Sequence, residues 1–407
     1  MKRQFGLKAG LVATGLAMAL VTNPATAQVS DDVVRIGVLT DMSSLYADIN
    51  GPGAVVATKM AVEDYGGTVL GKKIEVVSGD VQNKPDIAVS SASRWFDVDK
   101  VDAIIGTSSS AASLATSRVA ADKNKLYLAT DPATSDLTGK ACTPTTLHWV
   151  YDTVALANGT GSAVVKAGGK SWYFLTADYA FGHALERDVT AVVQANGGNV
   201  IGSVRHPLNT SDFSSFLLQA QGSKSQIIGL ANAGGDTINS IKQAAEFGIV
   251  QGGQNLAGLL VFVSDIHSIG LKLAQGLMLT EAFYWDLNDG TRAFSKRWSE
   301  QMNGRMPTSI QAGYYSAVKH YLDAIKATGT DDTTKVVAWM KENPTDDPLF
   351  GKGYVRKDGR KMHNMYLFEV KKPEESKGPW DYYKLVREIP GEEAFRPMEK
   401  GDCPLVK

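Results

Sequence analysis

The amino-acid sequence predicts an α/β protein made of two successive units of similar size, each a mainly parallel sheet with helices on both faces. Short β-branched runs alternate with helix-period segments from residue 33 onward, the pattern that builds parallel crossovers. The same alternation restarts after Trp149. About 380 residues follow a removable N-terminal segment, enough for two domains at roughly 100–200 residues each.

The N-terminal segment comes first in the chain. Lys2, Arg3 and Lys8 form a positive region, residues 11–21 are apolar apart from Thr14 and small residues, and Ala25-Thr26-Ala27 is a small-residue cleavage signature before Gln28. That order of features predicts a signal peptide over residues 1–27, hence export, with the periplasm as the destination. No cysteine follows the apolar run, so no lipid anchor is expected, and no later stretch approaches the 18 or so apolar residues of a membrane span.

In the first unit the sequence predicts strand 33–39, helix 53–65, strand 74–77, helix 85–96, strand 101–105, helix 111–122 and strand 126–129. In the second it predicts helix 153–166, strand 172–175, helix 181–196, strand 200–204, helix 213–220, strand 227–231, helix 237–247, and strands 259–263 and 277–282. Residues 291–302, 310–328 and 333–342 read as amphipathic helices, and 365–370 and 382–386 as strands around a polar turn. These last pieces build no third unit. They are expected to return to the first two, so that the chain crosses between lobes more than once and forms a multi-strand hinge.

Composition excludes several functions. The full chain has 42 basic and 43 acidic residues, and loss of Lys2, Arg3 and Lys8 makes the remainder more negative, with no block of like charge. A nucleic-acid surface is therefore not expected. No G-x-S-x-G, H-E-x-x-H or phosphate-loop motif is present, and the histidines at 148, 183, 206, 267, 320 and 363 are scattered without ligand spacing. No catalytic residue, metal site or cofactor is predicted. Cys142 and Cys403 are the two cysteines, both in the exported part, and an isolated pair in an oxidising compartment predicts one disulfide, two buried thiols being the alternative.

In open parallel sheets, ligands bind beyond the carboxyl ends of strands. After strand 101–105 comes Gly106-Thr107-Ser108-Ser109-Ser110, and after strand 126–129 comes Thr130-Asp131-Pro132-Ala133-Thr134-Ser135. Two small hydroxyl-bearing loops at consecutive strand ends point to an anion site, although serine is also simply a good helix cap. The second unit offers Asp178-Tyr179-Ala180-Phe181-Gly182, Asn232-Ala233-Gly234-Gly235-Asp236 and Ser264-Asp265, and the first loop carries Tyr46. Aromatic side chains suit the walls of an apolar or planar ligand, with core packing as the other reading.

The order of these motifs resembles the leucine/branched-chain-amino-acid-binding family of periplasmic solute-binding proteins. Carrying the resemblance are Arg35-Ile36-Gly37-Val38-Leu39, Gly71-Lys72-Lys73-Ile74-Glu75-Val76, Asp80 with Gln82 and Pro85, Asp102-Ala103-Ile104-Ile105-Gly106 with its serine run, Asp178–Gly182 and Asn209-Thr210-Ser211-Asp212-Phe213. It implies the type I periplasmic-binding fold, two Rossmann-like lobes on a multi-strand hinge. The lobes would be 28–149 with 284–346 and 150–283 with 347–407. It also implies a receptor for an ABC importer, a monomer that delivers a small organic carboxylate to a membrane permease. In that frame Ser109, Ser110, Ala133 and Thr134 correspond to the groups that grip a carboxylate, while Tyr179, Phe181, Asn232, Asp236 and Asp265 fall where the family closes the other lobe over it; Tyr46 of the first loop is a further candidate ligand contact. Neither Asp236 nor Asp265 sits in the surroundings usual for an ammonium partner. The loop 46–53, the Tyr179/Phe181 pair and His148-Trp149-Val150-Tyr151-Asp152 look more like the branch that binds benzoate- or cinnamate-type acids, which is the preferred ligand class, with a branched-chain amino acid as the alternative. An extracytoplasmic sensor and a hydrolase built on Ser109 or Ser110 are the competing functions.

Overall fold

The computed structural model describes residues 29–406 together with residues 1, 2 and 6. The apolar run and cleavage signature read between residues 11 and 27 lie outside the described residues.

Sixteen strands are present among the described residues. The first sheet comprises β1 (Val33–Thr40), β2 (Thr68–Val69), β3 (Lys72–Asp80), β4 (Ala103–Gly106), β5 (Leu126–Ala129) and β6 (Thr146–His148), in the order β2-β3-β1-β4-β5-β6 and parallel except for β2. A second, fully parallel sheet holds β7 (Ser171–Ala177), β8 (Asn199–His206), β9 (Ile227–Ala231) and β10 (Asn255–Gly258), in the order β10-β9-β7-β8. Both are of the α/β class that the alternation predicts. Their central strands are buried on both faces, which explains why β4, β5 and β9 read as continuous apolar runs.

The chain leaves the first sheet at Trp149–Asp152. Asp152 caps the next helix by accepting from the Ala155 N–H at 2.9 Å, and the buried Arg360 donates to the Tyr151 carbonyl at 2.9 Å and pairs with Asp152 at 3.6 Å. After β11 (Met278–Glu281) the chain returns to the first unit. There helix Ser309–Thr328 packs along helix Gly51–Asp64. Its ends are set locally: Thr308 accepts from the Gln311 N–H, and Gly329 closes it at φ 70°. Three short antiparallel strands follow, β12 (Thr345–Asp347), β13 (Gly351–Val355) and β14 (Lys361–Met362); β15 (Met365–Val370) and β16 (Tyr383–Ile389) then build a sheet with β11 in the order β11-β15-β16. Phe368, Val370 and Tyr383 pack into a core of the second unit, whereas Phe350 and Val355 join the larger core, which runs from the first unit into the second. Cys142 and Cys403 are disulfide-bonded, with Cα atoms 5.7 Å apart, which fastens the C-terminal tail to the first unit.

Two expectations are corrected. Residues 259–263 are not a strand: β10 ends at Gly258, and helix Val263–Ile269 begins where Asp265 turns back to accept the Phe262 N–H at 2.9 Å. The run is apolar because it walls a cavity, not because it pairs in a sheet. The helix expected over 153–166 is interrupted by a π segment at Ala157–Gly161. Here Thr280 of β11 presses on the helix: a Cβ at Gly159 would lie 2.1 Å from its Oγ1, and the Thr160 and Thr280 hydroxyls are 2.9 Å apart.

Candidate functional site

The two parallel sheets point the carboxyl ends of their strands toward one another, and the loops leaving those ends enclose about 310 Å³, counting the part open to solvent. Every strand that reaches the cavity contributes a short segment. Tyr46, Ile49 and Asn50 follow β1, Ser108 and Ser110 follow β4, and Asp131 and Ala133 follow β5. Across from them Tyr179 and Phe181 follow β7, Ala233 follows β9, and Leu260 and Phe262 follow β10, with Tyr151 at the crossover and Ile310 on the long helix. The placement is the one that parallel α/β sheets favour for ligands.

The face from the first sheet is polar and already hydrogen-bonded. Ser109 caps helix Ser110–Asp122, Ser110 Oγ accepts from the Thr134 N–H at 3.2 Å, and Ser108 Oγ donates to Asn83 at 2.8 Å. Asp131 lies at its centre, accepting from Thr40, Asn50, Tyr314 and Thr130 at 2.9–3.1 Å. Burial pushes its carboxyl up to about 6, against the pull of those four donors. The face from the second sheet is mainly rings: Tyr179 and Phe181 are 5.8 Å apart by centroid, and Phe262 meets Tyr151 edge-on at 6.0 Å.

The faces touch. The Tyr46 and Tyr179 hydroxyls are 2.6 Å apart, and burial above all raises the pKa of each phenol, so both stay protonated and share a hydrogen bond. Gly234 makes another contact: its φ of 56° requires glycine, and a Cβ there would lie 3.0 Å from the Leu45 carbonyl oxygen and from the Tyr46 ring. No lysine, arginine or histidine lines the cavity. Positive potential comes instead from the N-termini of helices Ser110–Asp122 and Ala180–Ala195, whose first turns contribute Ser110 and Phe181 to the lining.

A family model described as periplasmic binding protein matches residues 33–378. The chain belongs to the periplasmic binding protein family. A periplasmic binding protein from Burkholderia mallei is 55% identical over 92% of this chain and 100% of its own, with a TM-score of 0.90. A branched-chain amino acid ABC transporter periplasmic ligand-binding protein from Burkholderia xenovorans is 41% identical over 92% of this chain and 100% of that one, at TM-score 0.82. A Rhodopseudomonas palustris solute-binding protein solved with 3,4-dihydroxybenzoic acid shares the fold at TM-score 0.80, with 23% identity over 89% and 98% of the two chains. As in its family, the chain is a binding protein and not an enzyme, and no helix among the described residues is long and apolar enough to cross a membrane.

Of the residues singled out in the sequence, Tyr46, Ser110, Ala133, Tyr179 and Phe181 line the cavity. Five stand behind it. Ser109 is spent on its cap, and Thr134 Oγ1 accepts from the Asp136 N–H at 3.3 Å. Asn232 is bonded to Thr237 and His206. Asp236 accepts the N–H groups of Asn209 and Thr210 at 3.1 and 2.9 Å, and Asp265 holds the Phe262 N–H. Burial raises these two aspartates to about 6 and about 7. Asn50, Tyr151, Leu260, Phe262 and Ile310 line the cavity without having been singled out. For Tyr151 the signal was in reach, since it sits in a segment the resemblance already used.

Proposed function

We propose that the protein is the periplasmic receptor of an ABC importer and closes its two lobes on a small aromatic carboxylic acid of the benzoate or cinnamate type. The lobes are taken as residues 28–149 with 284–346 and 150–283 with 347–407. The observation that carries this reading is the lining: five rings, from Tyr46, Tyr151, Tyr179, Phe181 and Phe262, face a hydroxyl-bearing helix N-terminus, and the one carboxyl among them, Asp131, already accepts four hydrogen bonds. A carboxylate would sit at Ser110 and the start of its helix, where Ala133 leaves room, and the rings would take a planar apolar body. Neither Asp236 nor Asp265 lines the cavity to meet an ammonium. Because the ligand touches both faces only when they approach, it draws an open form toward the closed one by differential affinity.

A branched-chain amino acid is the second reading, favoured by the naming of the 41% identical Burkholderia xenovorans protein. The mature receptor would begin at Gln28, act as a soluble monomer without a lipid anchor, and hand its ligand to a membrane permease. Thermal unfolding of the mature protein with 4-hydroxybenzoate or leucine tests the ligand, since a bound ligand stabilises by RT ln(1 + [L]/Kd). A rise in Tm with the aromatic acid alone is expected. A rise with leucine alone would replace the first reading by the second.

A further inference from the structure

Asp131 is the one carboxyl in the cavity lining, and it stands in the loop that would receive the ligand's own. Ala133 lies two residues further on, and the Thr134 N–H of the same loop donates to Ser110, so a carboxylate seated at Ser110 and Ala133 shares that loop with the Asp131 side chain. Asp131 is buried, and its four partners are all neutral: the hydroxyls of Thr40, Thr130 and Tyr314 and the amide of Asn50. The titratable groups around it supply no counter-ion. Tyr127 on β5, Tyr151 at the crossover and Tyr314 on the long helix are phenols whose pKa burial raises. His148 donates through Nε2 to the Pro132 carbonyl at 2.7 Å, and burial, then Arg360, keeps its pKa well below the usual histidine range. Arg360 itself directs Nη1 to the Tyr151 carbonyl and to Asp152. Asp41, beside Thr40, turns its carboxyl to Ser44, the Tyr46 N–H and Asn83. Across the cavity, Asp236 and Asp265 stand behind the opposite face.

Two carboxylates that share a dry site without a cation do not both stay ionised, and the pair keeps one proton. The bonding of Asp131 suits either state. Thr40, Asn50 and Tyr314 all donate to Oδ2, while Oδ1 meets Thr130 alone, so a proton on Oδ1 requires one hydroxyl to turn from donor to acceptor and leaves the other three bonds as they are. The Asn50 amide, whose own oxygen is held by the Gly51 N–H, has a fixed sense and sits on Oδ2, where nothing has to reverse. We propose that the carboxylate ligand binds together with one proton, taken up from solvent and held on Asp131, so that anion and proton enter the site as a pair. This rests on the carboxylate reading of the ligand and adds the proton as its obligatory companion. With burial placing the free carboxyl at about 6 and a neighbouring anion moving it higher, affinity is full below that pH and falls as pH rises through it.

Calorimetry of benzoate binding in phosphate and in Tris, buffers of different ionisation enthalpy, counts the protons taken up. At about pH 7 the wild type is expected to gain more than about half a proton per ligand, with affinity falling by up to about tenfold per pH unit above that, the limit for one linked proton. In Asp131→Asn the uptake should vanish and affinity should be flat over the same range. Tyr314→Phe removes a donor to the charged carboxyl, so the fall should begin at higher pH. Benzoate bound without proton uptake, or uptake that survives in Asp131→Asn, would overturn the role of Asp131 while leaving the aromatic-acid reading intact. Should leucine bind and benzoate not, the aromatic reading falls, and the same count made with leucine decides on Asp131: uptake lost in Asp131→Asn keeps its role, and no uptake overturns it. A carboxyl NMR titration of the unliganded protein needs no ligand at all. It should show a group with a midpoint of about 6 that is missing from Asp131→Asn, and a midpoint in the ordinary carboxylate range would overturn the proposal whatever the ligand.

Discussion

The two faces of the cleft solve opposite problems. On the first-sheet side the polar groups are bonded before any ligand arrives: Ser109 to its own helix, Ser110 to Thr134, Ser108 to Asn83, and Asp131 to four donors. On the second-sheet side Tyr179, Phe181, Ala233, Leu260 and Phe262 present little beyond apolar surface and one phenol. A preorganised polar face fixes where charge can sit without paying for reorganisation at the moment of binding. The apolar face supplies area that counts only when it is brought against the ligand. On the proposed reading the difference places orientation on one face and closure on the other, so substitutions on the two faces should fail in different ways.

The largest effect on affinity is expected where the faces meet. In Gly234→Ala the new Cβ would press on the Leu45 carbonyl and the Tyr46 ring at a backbone conformation that costs a non-glycine residue about 1–3 kcal/mol. Ligand affinity should fall by about 10- to 100-fold, as read by calorimetry; an unchanged value would mean that the Tyr46 loop stands clear of Gly234 in the liganded protein.

Next come the faces themselves, compared by pairing Phe181→Ala with Ser110→Ala. Phe181 is buried, and its truncation should cost about 1.5–3 kcal/mol in both stability and affinity for any ligand with an apolar body. Ser110→Ala should weaken binding by about tenfold through a lost hydrogen bond to a charged oxygen and, because Oγ also accepts the buried Thr134 N–H, cost about 1 kcal/mol of stability, less than Phe181→Ala. Equal loss of stability in the two variants would erase the distinction between a contact face and an orienting face.

The smallest effect on binding is expected from Cys142→Ser. The bridge ties the tail to the first unit, away from the cavity, so Tm should drop by the equivalent of about 2–4 kcal/mol while affinity stays within twofold. A large affinity loss would show that the tail holds the crossover in register. Thiol titration of the denatured, unreduced wild type should find no free thiol.

Much of the fold was legible because a doubly covered parallel sheet writes itself as short apolar runs between helical ones. Strand 126–129 and strand 227–231 have the same bounds in the sequence reading and in the structure. The reading failed at residues 259–263, where an apolar run bends into the cleft wall because Asp265 captures the Phe262 N–H, a contact that periodicity cannot register. It could not see the π segment at Ala157–Gly161 either, since the cause is Thr280, more than a hundred residues away. At the site, the serine loop and the Tyr179/Phe181 pair were visible because they follow strand ends. Asp236 was equally visible, but which groups its carboxylate would meet, the backbone of Asn209 and Thr210, depends on a neighbouring strand's loop.

The sequence by itself determined the α/β class, the division into two α/β units, the one disulfide open to the two cysteines and the loops that could face a ligand, because each of these follows from local period, strand-end position or simple availability. Only the tertiary structure decided which side chains in those loops are free to bind. A serine that caps its helix and a serine that faces the cleft are adjacent in the chain, and Asp131 is held by donors from distant segments while Asp265 is held by the Phe262 N–H beside it. Hydrogen bonds are saturable: Ser109 is saturated within its own helix turn, whereas three of the four donors on Asp131 come from distant segments.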